Sequence, residues 1–209
     1  MKVKELSVRA NVPIPTIKYY LREGLLPRGE SLGETKAEYD EGHLARLRLI
    51  RTLVETGEVP IARIRRLLDA IDDETLATED LLAAAMDAAA PDLRAAARED
   101  DSGDRTGAEA LLGHENWKST SDGQGQLARA LAGLRRLGLP ADPDKLGPYL
   151  DAAKAIAGQQ RPLLPVPEER AEFALRAVLG SVLYGRLLTT LVRLAMENAT
   201  SGPGVTRTP

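Results

Sequence analysis

From Val3 to Ile71 apolar residues recur every three or four positions, and each run is stopped by Asn, Gly or Pro. That period places side chains on one face of a helix, so this stretch folds as a succession of short helices packed face to face. Val3, Leu6 and Ala10 mark the first, about residues 3–10. Asn11 tolerates a left-handed backbone and supplies a tight turn. Pro13 and Pro15 sit where a helix begins, because first-turn backbone donors have no intrahelical partner. Ile14, Ile17 and Leu21 face inward on a second helix, about 14–23, which Gly24 ends. From Leu25 to Tyr39 the period is lost, and Gly29 and Gly33 among scattered charges predict an extended loop or small hairpin. Asp40 caps a third helix, about 41–56, with Leu44, Leu47, Ile50 and Val54 as its buried stripe and Gly57 as its stop. Pro60 opens a fourth, about 60–72, with Ile61, Ile64, Leu67, Leu68 and Ile71 turned inward.

The remainder is helical too. Thr78 can cap a fifth helix whose seam is Leu82, Ala85, Met86 and Ala89, broken by Pro91. The polar run 99–107 reads as a linker or a mobile loop. Leu127, Leu131, Leu134 and Leu137 mark a further helix, and Asp142-Pro143 starts another carrying Leu146, Leu150, Ala153 and Ile156. A last long helix runs from Pro167 to about Ala199, and the tail 201–209 is expected to be disordered. The composition agrees: 43% of residues are hydrophobic but only 3% aromatic, so the core is built from Leu, Ala, Val and Ile. The fold class expected is therefore mainly α.

Charge separates the chain into two parts. Residues 1–70 hold 13 Lys and Arg against 10 Asp and Glu, and the rest hold 15 against 21. A mildly basic front on an acidic back fits a nucleic-acid reader joined to a second, non-reading region. Cysteine is absent, which excludes disulfides, thiol catalysis and Cys-ligated zinc. The two histidines, His43 and His114, are far apart, and His114 beside Glu115 makes a poor metal site. No nucleophile–base set or phosphate loop is present, so neither an enzyme nor a cofactor is expected. The start lacks a signal-peptide run, and Arg176, Arg186 and Arg193 interrupt the apolar stretch 173–196, so the expected place is the cytoplasm, off the membrane.

The most informative stretch is Val12 to Pro27, VPIPTIKYYLREGLLP. With Ile14, Ile17 and Leu21 inward, Thr16, Lys18, Tyr19 and Arg22 point mostly outward. A hydroxyl, an ammonium, a phenol and a guanidinium on one short helix can all bond phosphate oxygens, and such a helix fits a major groove. The preceding helix and turn complete a helix-turn-helix. The motifs Thr16-Ile17-Lys18-Tyr19-Tyr20, Gly24-Leu25-Leu26-Pro27 and Tyr39, followed by AEYDEGHLARLRLIRTLVETGEVPIARIRRLL, resemble the DNA-binding domain of MerR-family transcription regulators. The resemblance covers about residues 1–72. Two positions depart from it: Pro15 stands where the family often has Arg, and Thr35-Lys36-Ala37 stand where the wing usually has Gly-Tyr-Arg.

The resemblance implies a winged helix-turn-helix at the N-terminus followed by a helical C-terminal domain. It implies that Thr16, Lys18, Tyr19 and Arg22 contact DNA from the recognition helix, with Lys36 and Tyr39 serving the wing and Tyr20 leaning on the core. It also implies a two-fold homodimer on a palindromic promoter site, a small-molecule effector, and RNA polymerase as a partner at the promoter. The domains expected are 1–73 for DNA binding, 74–98 for dimerisation and linkage, and 108–200 for the effector or interaction region. Leu82 and Met86 are the candidate dimer residues, and Trp117, Tyr149, Phe173 and Tyr184 the candidate ligand pocket, each also explicable as core. Arg65 on the fourth helix reads as a solvated face, while Arg63 and Arg66 are open between that and a second phosphate clamp. The alternative function is a helical protein-interaction module with no direct DNA readout.

Overall fold

The computed structural model describes residues 1–31, 37–90, 104–119, 121–164 and 169–200. Its elements are α1 (Val3–Ala10), α2 (Ile14–Arg22), β1 (Glu30–Ser31), β2 (Ala37–Glu38), α3 (Glu41–Glu55), α4 (Ile61–Asp72), α5 (Thr78–Ala89), α6 (Arg105–Glu115), α7 (Ser121–Arg136), α8 (Pro143–Gln160) and α9 (Arg170–Thr200). A 3-10 turn, Arg161–Leu163, follows α8. The two strands pair antiparallel, Glu30 opposite Glu38 and Ser31 opposite Ala37. A Cβ on Gly29 would collide with the Glu38 carbonyl, so the hairpin closes only over glycine.

Local chemistry sets the boundaries. Asn11 is left-handed (φ 52°), and the Asn11 and Val12 N–H groups return to the carbonyls of Val8 and Ser7. This is a Schellman cap, and the Ser7 hydroxyl reinforces it by donating to the Val12 carbonyl at 2.7 Å. Gly24 (φ 73°) ends α2 in the same way, with Leu25 N–H returning to Tyr20 O at 2.9 Å and both Leu25 and Leu26 buried. Asp40 and His43 form a reciprocal cap at the start of α3.

The main core runs through α1–α5 and the first turns of α9. Leu6, Ile17, Leu44, Ile50, Leu53, Ile64, Leu67 and Leu81 are fully buried in it. The stripe of α3 includes Leu53 where the period predicted Val54. On α5 the buried residues are Leu81, Ala85 and Ala88, a seam offset from the predicted Leu82, Ala85, Met86 and Ala89. The reason is that α5 is packed against both α4 and α9, and the face between them decides the register. Arg170 locks α9 onto this body: its guanidinium donates to the carbonyls of Ala70, Ile71, Asp73 and Leu76 at 2.7–3.0 Å, closing the end of α4.

Helices α6–α8 form a second, smaller body with Ala108, Ala128, Leu131 and Ala141 at its centre. Half of the expected linker 99–107 is overturned here. Residues 91–103 lie outside the described residues, but Asp104 accepts from Gly107 N–H at 2.8 Å and starts α6 at Arg105. Leu137, expected in the stripe of α7, lies past its end and is exposed. The tail 201–209 is outside the described residues.

Helix α9 changes character along its length. Phe173, Ala174, Ala177 and Val178 are buried in the main core, whereas every residue from Leu183 to Ala199 is exposed. By length and composition this helix could cross a membrane, yet it begins inside the main core and bears Arg176, Arg186 and Arg193.

Candidate nucleic-acid interface

The α1–turn–α2 unit presents one polar face. Ile17 and Tyr20 anchor α2 in the core, which turns Lys18 and Arg22 out to solvent, while Thr16 and Tyr19 are partly buried and Tyr19 packs against the core. Lys18 is exposed and forms no ion pair or hydrogen bond among the described residues. Arg22 is 73% exposed at its side chain, 3.5 Å from Glu23, and its guanidinium lies 5.3 Å from the centre of the Tyr19 ring. That cation–π contact holds the arginine beside the phenol while leaving its donors to solvent. Tyr19 and Tyr20 rings lie 5.8 Å apart, one half-exposed and the other buried. Burial pushes the Tyr20 phenol pKa up, so it is neutral at physiological pH.

Most other cations of this body are engaged internally. Arg9 pairs with Glu41 through both nitrogens at 2.6 and 3.0 Å. Arg46 donates to the Leu25 carbonyl and to Asp72, both at 2.6 Å, tying the end of α2 and the end of α4 to α3. Arg51 pairs with Glu55 and reaches the Ala10 carbonyl. Arg65 pairs with Glu23 at 2.9 Å, and Arg63 donates to the Ala90 carbonyl. Arg66, like Lys18, has no partner among the described residues.

The remaining sequence-predicted residues are scattered. Lys36 lies outside the described residues. Tyr39, expected among the wing's contacts, is 8% exposed. Its ring meets His43 edge-on at 5.2 Å, and its backbone exchanges hydrogen bonds with Met1. The ring is packed as an anchor, and the backbone pairing fixes the end of β2 against the N-terminus. Leu82 packs on the main core, and Met86 is 38% exposed; both line a cavity shared with α9. The four candidate pocket aromatics do not converge. Trp117 and Tyr149 line one cavity, Tyr184 another, and Phe173 is core. Arg46 and Arg170 were missed by sequence reasoning, because their partners are backbone carbonyls distant in the chain. Among the described residues no three His, Asp or Glu side chains are grouped to hold a metal.

Comparison with known proteins bears on this geometry. Residues 1–71 match the MerR HTH family regulatory protein. The crystal structure of the putative transcriptional regulator SCO5550 from Streptomyces coelicolor A3(2) is similar over 96% of each chain, with 35% sequence identity and a TM-score of 0.61. No curated protein matches the chain.

Proposed function

The chain belongs to the MerR helix-turn-helix family of DNA-binding transcription regulators, and we propose that it acts as a two-fold dimer at a palindromic promoter site in the cytoplasm. In this reading α2 enters the major groove, with Thr16, Lys18, Tyr19 and Arg22 on DNA and the β1–β2 hairpin, with Lys36, acting as a wing along the backbone. The observation that carries it is the exposed face of α2. Lys18 and Arg22 keep donors free there, in a body whose other arginines mostly close internal bonds.

The dimer contact assigned in this reading is α9 rather than α5. Helix α5 is covered on two sides within the chain, leaving little of it to pair. On α9, Tyr184, Leu187, Leu191 and Leu194 recur at intervals of three and four, the spacing of a two-helix seam, and Leu183, Leu188, Val192 and Met196 widen it. These eight side chains expose on the order of 800 Å², about what one partner gives to a standard interface. A monomer rarely leaves so much apolar surface bare. Residues 1–73 then read DNA, 74–98 connect, and the region from α6 onward receives an effector while α9 pairs. RNA polymerase is the partner that such a promoter complex serves.

Selection of bound duplexes from sheared genomic DNA, at near-physiological salt, tests the proposal. Enrichment of an inverted repeat inside a promoter is expected. If folded, dimeric protein enriches no sequence, the palindrome-reading dimer fails and a protein-interaction role takes its place.

A further inference from the structure

Between α6, α7 and α8 lies a cavity of about 470 Å³, within the size range of small-molecule sites. Two helix ends build its rim. Asn116 is left-handed (φ 53°), and Trp117 N–H returns to Leu112 O at 2.9 Å. Gly138 (φ 68°) ends α7 likewise, and Leu139 N–H returns to Leu134 O at 2.9 Å. In such caps the residue after the left-handed position sets its apolar side chain near the helix's last turn. Here both pairs, Leu112 with Trp117 and Leu134 with Leu139, line the cavity.

The centre of this body is three alanines and one leucine, with Leu111 and Leu150 buried beside it and Leu127, Leu134 and Leu146 only partly covered, a thin core for three helices. Its larger apolar side chains face the cavity without filling it, and two remain open at the rim: Trp117 is 41% exposed and Tyr149 74%. Lys145 is the one charged residue among the described lining; it is exposed, and its ammonium makes no ion pair or hydrogen bond among the described residues. An unmatched ammonium at the edge of an apolar hollow selects an anionic group attached to an apolar body.

We propose that this cavity binds a bulky, largely apolar small molecule with a single acidic group, its body between Trp117 and Tyr149 and its anion on Lys145. The inference rests on the reading that the region after α5 receives the effector, and it supplies that effector's chemical class. A guest drawing α6–α8 together acts on α8. Beyond the far end of α8, Leu163 and Leu164 meet Leu82 of α5 and Tyr184 of α9 around a second cavity.

Trp117 is the chain's single tryptophan, so the intrinsic emission of the full-length protein reports on the cavity directly. The probes are 1-anilinonaphthalene-8-sulfonate and its uncharged counterpart N-phenyl-1-naphthylamine. Saturable quenching of Trp117 by the sulfonate, at one probe per chain, is expected. Lys145→Gln should weaken the sulfonate about tenfold and leave the neutral probe unchanged. Ala130→Phe, which fills the cavity, should weaken both, and circular dichroism checks that each variant is folded. Absence of quenching, or binding indifferent to both substitutions, overturns the site, including the case in which the cavity is closed by a second copy. DNA affinity measured with and without the sulfonate keeps the two readings apart: a confirmed site that leaves DNA affinity unchanged removes the effector role and not the binding.

Discussion

At position 18 a lysine projects from α2 with no acceptor among the described residues, and four positions on Arg22 lies beside the Tyr19 ring. A side chain bound to nothing in the fold can be removed without cost to it. Lys18→Ala should therefore leave the melting temperature unchanged, weaken DNA binding, and flatten the salt dependence by about one unit for each protomer's lost phosphate contact. Tyr19→Phe should weaken binding with the fold intact. Filter binding across a salt series checks both, and unchanged affinity in the pair would remove α2 from the groove. The exposure of Lys18 and Arg22 was legible in the sequence because it follows from the period of a short helix, whereas the partial burial of Tyr19 against the core was not. Tyr39 was legible as an anchor of the wing, but its partner was not: its burial depends on the N-terminus folding back onto β2, a contact 38 residues long in sequence. Arg65, read as a solvated face, is exposed, but its pairing with Glu23 spans 42 residues and left no local mark in the sequence.

Several helix ends were readable, since a cap is a local event, although Thr78, expected to cap α5, is instead its first residue and makes no capping hydrogen bond. Asp40 before α3 is an example, and it yields a pH prediction. The backbone N–H of His43, and then the His43 side chain, hold the Asp40 carboxyl below its ordinary pKa. A depressed carboxylate adds stability that is fully present above the unfolded value, about 3.9, and is lost as pH falls through the lower folded value. Asp40→Asn keeps an acceptor but no charge, so the difference in melting temperature between it and the parent should shrink below about pH 4. A constant difference down to pH 2 would assign the cap no ionic part. Helix ends held by distant groups were illegible. Arg170 reaches four carbonyls at the end of α4 from about a hundred residues away. Arg170→Ala should cost about 2 kcal/mol in chemical denaturation, with Arg170→Lys recovering only part because an ammonium lacks the fork. Helix α6 escaped the sequence reading for a different reason: its cap, Asp104, lies inside a polar run that by composition alone reads as a linker.

For the molecule as a whole the sequence showed many helices but not their partition, because period says which face is buried and not against what. The long last helix supplies turns to the main core and then leaves it. This placement rules out a tempting test, the isolated fragment 1–72. Without Leu81, Ala85, Phe173 and Val178 the inner face of the reader domain loses its cover, so weak binding by that fragment would confound unfolding with loss of the dimer. A cleaner separation lies further along α9. Leu187 and Leu191 are exposed in the single chain, so Leu187→Glu with Leu191→Glu removes nothing from either body. Like charges facing one another across a two-fold seam oppose pairing. Sedimentation should show a monomer with native helical content. Affinity for an inverted repeat should fall by two orders of magnitude or more, toward that for one half-site, since linked half-sites gain about 10²–10⁴ from being held together. A variant that stays dimeric would move the interface away from α9, and a monomer that binds the full site as tightly as the parent would show that the palindrome is not read by two copies.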